Sequence, residues 1–215
     1  YSELKSKLAE KYRNTREVYT AKKERLVKEI VRKAKKSPQQ REEVLRNAIG
    51  NKMDLKETYN TIAQDWHKDH EHDDWWVIGT NKFCSLLAPR ASVLDVGSGS
   101  GVKSKYLFAR GFHVTGVDFS EKLAEIAKRE VPRVDFIVMD IHDLENLHEM
   151  YDGVFAQAVL LHFPKKDVPA IFQKLADKVK PHGYLYVAVK ERREGGAEEE
   201  IKKEEDYGYP YERFL

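Results

Sequence analysis

The chain has 215 residues, of which 41% are hydrophobic, and its 38 basic against 36 acidic side chains give a net charge of +2. That length allows one sizeable core plus an appendage, and the lack of an apolar run of membrane length predicts a soluble protein without a membrane partner. The one cysteine, Cys84, excludes an internal disulfide framework and favours a reducing, cytoplasmic location.

Basic residues are concentrated at the start of the chain. Residues 1–56 carry 17 Lys and Arg against 8 Asp and Glu, a net charge of +9, which leaves −7 for the remainder. Apolar side chains recur there at near-helical spacing, and Ser37, Pro38 and Gly50 are the residue types that bracket a second helix. We predict a basic helical extension over residues 1–53. It could bind nucleic acid, but packing on a partner subunit is favoured because charged helix faces are commonly solvated.

Residues 54–90 are predicted to form a helical lid over the core. Asp54 and Glu57 resemble a capping box, which would start a helix that carries Tyr59 and Trp66. The residues alone favour Tyr59 as a packing residue of this helix.

The run from His67 to Asp74 is rich in histidine and carboxylate groups. A catalytic zinc site needs three fixed ligands on a rigid scaffold, whereas this run has no regular helical or strand pattern, so we predict no metal site. It is better suited to be a mobile gate, in which Trp66, Trp75 and Trp76 cover an apolar substrate or exclude water.

The most specific pattern is the run from Val93 to Gly101, in which three strand-forming apolar residues and Asp95 precede three alternate glycines. Such glycines let backbone pass close to a ligand where a Cβ would collide. A dinucleotide fingerprint would place the third glycine one residue later, and Asp95 would repel a pyrophosphate. The run therefore predicts a nucleoside ligand that carries an ammonium group or hydroxyl donors.

Strand-like and helical patterns alternate after this loop. We predict strands at 112–117, 134–139, 153–158 and 184–189, and helices at 102–110, after the N-cap Ser120, and at 167–179. This alternation predicts an α/β fold with a Rossmann-like, doubly wound, mainly parallel sheet, whose core spans residues 91–215.

Ligands of such sheets bind beyond the carboxyl ends of the strands. Asp95, Asp118, Asp140 and Gln157 all lie at or just after predicted strand ends, so one ligand could contact all four. Each acidic residue alone could instead be structural, because Asp118 could cap the next helix and Asp140 could be an ordinary loop residue.

Five segments in this order resemble motifs of the class I S-adenosylmethionine-dependent methyltransferases, and more closely their type 11-like, small-molecule branch. The segments are Asp95–Gly101, Phe112–Asp118, Phe136–Ile141, Asp152–His162 and Val179–Lys190. The resemblance covers about residues 57–190 and implies S-adenosyl-L-methionine as the cofactor. His182 departs from the family pattern, because glycine is usual at its position.

The resemblance also implies roles for individual residues. The glycine loop would wrap the methionine part of the cofactor, Asp118 would accept both ribose hydroxyls, and Asp140 with the Ile141 backbone would hold adenine. Tyr59 would approach the cofactor's carboxylate end. The complete predicted cofactor set is Tyr59, Asp95, Gly97, Ser98, Gly99, Asp118, Phe119, Asp140, Ile141 and Gln157.

His162, in the turn after the fourth predicted strand, is the candidate catalytic residue. Its near-neutral titration suits a general base for an acceptor that must lose a proton. Histidine also recurs in this turn of the family as a structural residue, so both interpretations stay open.

The leading hypothesis is a methyltransferase that acts on a small-molecule acceptor. One alternative is an RNA or protein methyltransferase that recruits its substrate through the basic extension, and another is a cofactor-binding interaction protein without catalysis. We further expect the C-terminal strands of the usual fold to be missing. A homodimer formed through the helical extension or the open sheet edge would then cover exposed backbone groups.

Overall fold

A computed structural model of the chain describes residues 55–189 and the backbone of 201–206 and 209–214. The predicted basic extension over 1–53 and the cap at Asp54 lie outside the described residues, so both remain predictions. None of the described helices is long and apolar enough to cross a membrane.

Two helices precede a five-stranded sheet. The helices are α1 (Leu55–His70) and α2 (Val77–Leu86). The strands are β1 (Ser92–Val96), β2 (His113–Asp118), β3 (Asp135–Val138), β4 (Tyr151–Gln157) and β5 (Val179–Ala188). The connections contain helices α3 (Val102–Ala109), α4 (Glu121–Glu130) and α5 (Val168–Ala176), with 3₁₀ helices at Ile141–Asn146 and Leu160–His162.

The sheet confirms the predicted Rossmann-like topology. Its strand order is β3-β2-β1-β4-β5, and all four neighbouring pairs are parallel. β1 is the central strand, with Asp95 in register with Gly116 of β2 and Phe155 of β4. Because the strands are parallel, the loops after β1, β2 and β4 emerge at the same edge.

Both faces of the sheet are covered, which explains the continuous apolar character of β1. Val93 packs on one face with Phe83 and Leu107, whereas Leu94 packs on the other with Leu175. Successive strand residues point to opposite faces, so both faces need apolar side chains. Burial of each large side chain contributes about 1.5–3 kcal/mol.

One helix ends earlier than predicted. We expect a helix over 167–179, but α5 ends at Ala176 and β5 already begins at Val179, which pairs with Tyr151. The regular part of β5 opposite β4 starts at Tyr184, as predicted. The local propensity of the sequence does not reveal this early pairing, because it depends on a strand far away in the chain.

The C-terminal segment contains two strands that we did not predict. β6 (Ile201–Asp206) and β7 (Tyr209–Phe214) form an antiparallel pair, with Ile201 in register with Phe214. The run of charges in β6 hides the usual strand pattern, but strand pairing is a property of the backbone. The pair does not join the five-stranded sheet, so β5 is an edge strand among the described residues. The homodimer stays a prediction, testable by light scattering.

Candidate functional site

The glycine loop joins β1 to α3 and has the backbone conformation that its glycines allow. Gly97, Gly99 and Gly101 have φ values of 70°, 55° and 83°. These lie in the left-handed region, which side chains with a Cβ rarely adopt. A Cβ on Gly97 would also lie 2.3 Å from Val159 Cγ2. The glycines therefore permit the close packing of the loop, and their role in the approach of a ligand stays a prediction.

Asp95 is 1% exposed at the end of β1, beneath the glycine loop. Its carboxylate accepts a hydrogen bond of 2.6 Å from Ser104 Oγ in the first turn of α3. Burial raises the pKa of Asp95 to about 6, although the Ser104 bond and the charge of Lys103 act in the opposite direction. We did not predict the role of Ser104, for which the available signal is a hydroxyl residue in the first turn after the loop.

Asp118 ends β2 and faces the same loop. One carboxylate oxygen accepts from the Gly99 N–H at 2.8 Å, and the other accepts from the Ser120 N–H at 2.9 Å. Burial raises the pKa of Asp118 to about 6, and these two backbone bonds moderate the rise. Each oxygen retains capacity to accept a further hydrogen bond, so the group suits a pair of neighbouring hydroxyls.

Asp118 also has the structural role that was its alternative, since the hydrogen bond that it accepts from the Ser120 N–H supports the start of α4. Ser120 itself is the predicted N-cap, and its Oγ accepts from the Leu123 N–H at 3.1 Å. Capping and ligand binding are compatible, because they use different lone pairs of the carboxylate.

Two buried polar atoms near these strand ends have no hydrogen-bond partner within the described part of the chain. They are Ser98 Oγ in the glycine loop and Gln157 Oε1 at the end of β4. Buried polar atoms are normally paired, and an unpaired one calls for a specific explanation. Both residues belong to the predicted cofactor set, and a polar ligand in this position would satisfy them.

Asp140 differs from the other two predicted acidic ligands. Its side chain is 45% exposed, and Oδ1 accepts from the His142 N–H at 2.8 Å, which caps the 3₁₀ helix that begins at Ile141. His142 Nδ1 lies 2.6 Å from the same oxygen. Ile141 is buried against the core. Asp140 therefore has a structural role as a cap, which we did not predict for it, while its second oxygen remains able to accept.

An aromatic group surrounds Tyr59. Its ring makes edge contacts with Trp66, Phe119 and His162, at centroid distances of 6.4, 5.8 and 5.5 Å. The Tyr59 hydroxyl lies 3.1 Å from His162 Nε2. Tyr59, Phe119 and His162 are thus brought together by three separate elements, as expected if they belong to one site.

The lid helix α1 differs from our expectation in its second half. We predict an irregular run from His67 to Asp74, but α1 continues to His70 and buries His67. His67 continues the buried stripe of Thr58 and Ala63 at helical spacing, and this spacing could have predicted the longer helix. Within the described residues, no group of three His, Cys, Asp or Glu side chains is arranged to hold a metal ion.

The three tryptophans of this segment have separate roles. Trp66 lies against the glycine loop, 3.3 Å from where a Cβ of Gly99 would stand. Trp76 is instead a core residue, 5% exposed and in edge contact with Tyr106, and Trp75 is 63% exposed. Trp76 thus packs on α3, with Lys103 Nζ 5.8 Å from its ring centroid, and the expectation that all three cover a substrate stays a prediction.

Comparison with known proteins agrees with this geometry. Residues 93–183 match a family model described as a methyltransferase domain. The fold is shared with a 1,6-didemethyltoxoflavin-N1-methyltransferase from Burkholderia thailandensis, solved with S-adenosylhomocysteine, at a TM-score of 0.59 and 21% identity over 74% of this chain and 69% of that one. Residues 93–183 therefore resemble a methyltransferase domain, and the described sheet has the fold of that solved methyltransferase.

The chain also has curated relatives. It is similar to a ubiquinone biosynthesis O-methyltransferase from Coxiella burnetii, at 29% identity over 60% of this chain and 58% of the relative. A protein of the same name from Marinobacter nauticus is 34% identical over 48% of this chain and 45% of its own length. The chain therefore spans about half of the length of these relatives.

Proposed function

We propose that the chain binds S-adenosylmethionine and transfers its methyl group to a small organic acceptor. The observation that carries the proposal is the buried Asp118 carboxylate, which is held against the glycine loop with hydrogen-bonding capacity to spare. The unpartnered Ser98 and Gln157 atoms support it, because both belong to the same edge of the sheet as Asp118. The relatives named as O-methyltransferases support the acceptor class.

The residues present fit this cofactor in chemical type. Asp118 would accept the two ribose hydroxyls, and Asp95 would favour the ammonium group of the methionine part. Asp140 and the Ile141 backbone would hold adenine, with Phe119 against it. Gly97, Ser98 and Gly99 would line the methionine part, together with Gln157 and Tyr59.

S-adenosylmethionine, when bound, supplies a methyl group that is already electrophilic, so the chain contributes mainly alignment and exclusion of water. Trp66, in edge contact with Tyr59, offers a half-buried aromatic surface for an organic acceptor. His162 would accept the proton of a hydroxyl or amine acceptor at a ring nitrogen, and the Tyr59 hydroxyl would orient its ring.

Calorimetry with S-adenosylmethionine tests the cofactor assignment. We expect the wild type to bind and Asp118→Asn to bind about 10- to 100-fold more weakly, since hydrogen bonds to a charged group contribute about 1.5–3 kcal/mol. Asp143→Asn is the matched control, because this exposed carboxylate lies outside the proposed set. No binding by the intact wild type at millimolar cofactor would reject the proposal.

The acceptor requires a separate experiment. Incubation of the wild type with labelled cofactor and fractionated metabolite extracts should transfer label to a small-molecule fraction. Label that appears only in RNA or protein would favour the alternative in which the basic extension recruits a macromolecule. Cofactor binding without release of S-adenosylhomocysteine from any fraction would favour the non-catalytic alternative.

A further inference from the structure

Helix α1 makes side-chain hydrogen bonds to three different loops of the proposed cofactor site. His67 Nδ1 lies 2.9 Å from Ser100 Oγ in the loop after β1. Asn60 Oδ1 accepts from Ser120 Oγ at 2.7 Å after β2. The Tyr59 hydroxyl meets His162 after β4. One helix outside the sheet therefore contacts each loop that carries a proposed ligand-binding residue of these strands.

The His67–Ser100 contact is the most buried of the three. His67 is 7% exposed and Ser100 is 1% exposed. The Glu71 carboxylate lies 3.5 Å from His67 Nε2 and favours the tautomer with its proton on that nitrogen. Nδ1 is then the acceptor, and the Ser100 hydroxyl donates to it. The pair is a directed link between α1 and the glycine loop.

Apolar packing already docks α1 on the domain without this link. Ala63 packs with Leu123 and Ile126 of α4, and Tyr59 and Trp66 pack against this cluster. Ser100, by contrast, lies between Gly99 and Gly101 in a loop of left-handed residues. The position of this loop also sets the Gly99 N–H that donates to Asp118. The link to His67 therefore acts on the loop geometry more than on the docking of the helix.

We propose that His67 is a positioning residue, which holds the glycine loop through Ser100 in the geometry that binds the cofactor and thereby slows its release. The inference rests on the proposed function and adds a residue outside the sheet that sets how long the cofactor stays bound. Trp66 lies against Gly99, so its fluorescence reports on this loop.

The test measures the dissociation rate of S-adenosylhomocysteine from the full chain by stopped-flow tryptophan fluorescence, alongside its affinity by calorimetry. His67→Phe removes the hydrogen bond and retains an aromatic ring, and we expect it to raise the dissociation rate about three- to tenfold. His67→Asn keeps a polar atom close to the position of Nδ1 and should restore a rate near that of the wild type. Thr61→Ala, on the exposed face of α1, is the matched control and should leave the rate unchanged.

A double-mutant cycle distinguishes positioning from general destabilisation. Ser100→Ala removes the other partner, so its effect and that of His67→Phe should not add in the combined variant. Ser100→Ala also tests the link by itself if His67→Phe does not fold. Equal dissociation rates in the wild type and in a folded His67→Phe or Ser100→Ala protein would overturn the positioning role of His67. Failure of the wild type to bind S-adenosylhomocysteine would instead reject the proposed function.

Discussion

The two sides of the proposed site are built in different ways. The acidic side consists of Asp95 and Asp118, which end neighbouring strands, are almost fully buried and have pKa values raised to about 6. The aromatic side consists of Tyr59 and His162, which are half-buried and lie on a helix and a 3₁₀ turn outside the sheet. The sheet fixes the acidic side before any ligand binds, whereas the aromatic side depends on how α1 docks.

This difference favours cofactor recognition mainly by the acidic side and acceptor chemistry by His162 on the aromatic side. Buried carboxylates on rigid strands suit the recognition of a constant cofactor, because little reorganisation accompanies binding. Residues on an attached helix can vary in position without disturbing the sheet. Substitutions on the acidic side should therefore change cofactor affinity, and those of His162 should change turnover.

The largest expected effect is on turnover, from His162→Gln on the aromatic side. If His162 is the base, the variant should lower kcat about 100-fold or more with an acceptor that loses a proton. S-adenosylmethionine affinity should change by less than about threefold, which corresponds to less than about 0.7 kcal/mol of binding free energy. Steady-state assays with the labelled acceptor, and calorimetry, provide both values.

His148→Gln is the control for this variant, because His148 is exposed and lies outside the site. An unchanged kcat in His162→Gln would leave His162 a structural residue that packs against Tyr59. A loss of cofactor affinity without a loss of kcat would contradict the assignment of the two sides.

The second prediction concerns pH and the acidic side. Ribose hydroxyls and an ammonium group favour the ionised forms of Asp118 and Asp95, whose ordinary pKa of 3.8 is raised to about 6 in the folded chain. Cofactor affinity should therefore be constant above about pH 7. It should fall about tenfold per unit for each carboxyl that protonates below pH 6.

The effect of the same groups on the stability of the free protein has the opposite sign. The folded chain holds protons between about pH 4 and 6 that the unfolded chain has lost, so these two carboxyls contribute less stability as pH rises through that window. Calorimetry from pH 5 to 8 measures the affinity, and Asp118→Asn should flatten part of the dependence. A constant affinity over this range in the wild type would contradict the proposed contacts.

The acidic side was largely predictable from the sequence because its signals are local. A strand, a carboxylate and alternate glycines adjoin in the chain from Val93 to Gly101, and the β/α alternation places Asp118 at the same sheet edge. The partners of the α1 side chains were not predictable. Tyr59 and His162 meet across 103 residues, and His67 and Ser100 meet across 33, so only tertiary packing joins them.

The fold shows the same division between local and distant information. The five strands of the sheet follow from the alternation of patterns, whereas the early end of α5 and the β6–β7 pair depend on which backbone segments meet. In the His67–Asp74 run, the density of polar residues concealed a helical stripe that His67 continues. Composition alone misled the prediction there, because one buried polar partner makes a histidine compatible with a covered helix face.

A smaller effect is expected from Asp140→Asn, which tests whether the third acidic position resembles Asp118. Asparagine still caps the 3₁₀ helix, and a half-exposed side chain contributes little charge stabilisation, so cofactor affinity should fall by no more than about threefold. Calorimetry beside Asp118→Asn measures the contrast. Equal losses in the two variants would show that burial does not decide the contribution of these carboxylates.

The smallest effect is expected far from either side, at His182. This residue has a φ of 66°, in the left-handed region where the family usually has glycine. Relief of that strain, about 1–2 kcal/mol, exceeds the entropic cost of glycine, so His182→Gly should raise the free energy of unfolding by about 0.5–1 kcal/mol. Denaturant unfolding measures the gain. His182→Ala removes the same side chain beyond Cβ but keeps the strain and should show no gain, and neither variant should alter cofactor affinity. Equal stabilisation by His182→Gly and His182→Ala would show that the gain comes from removal of the imidazole and not from relief of backbone strain.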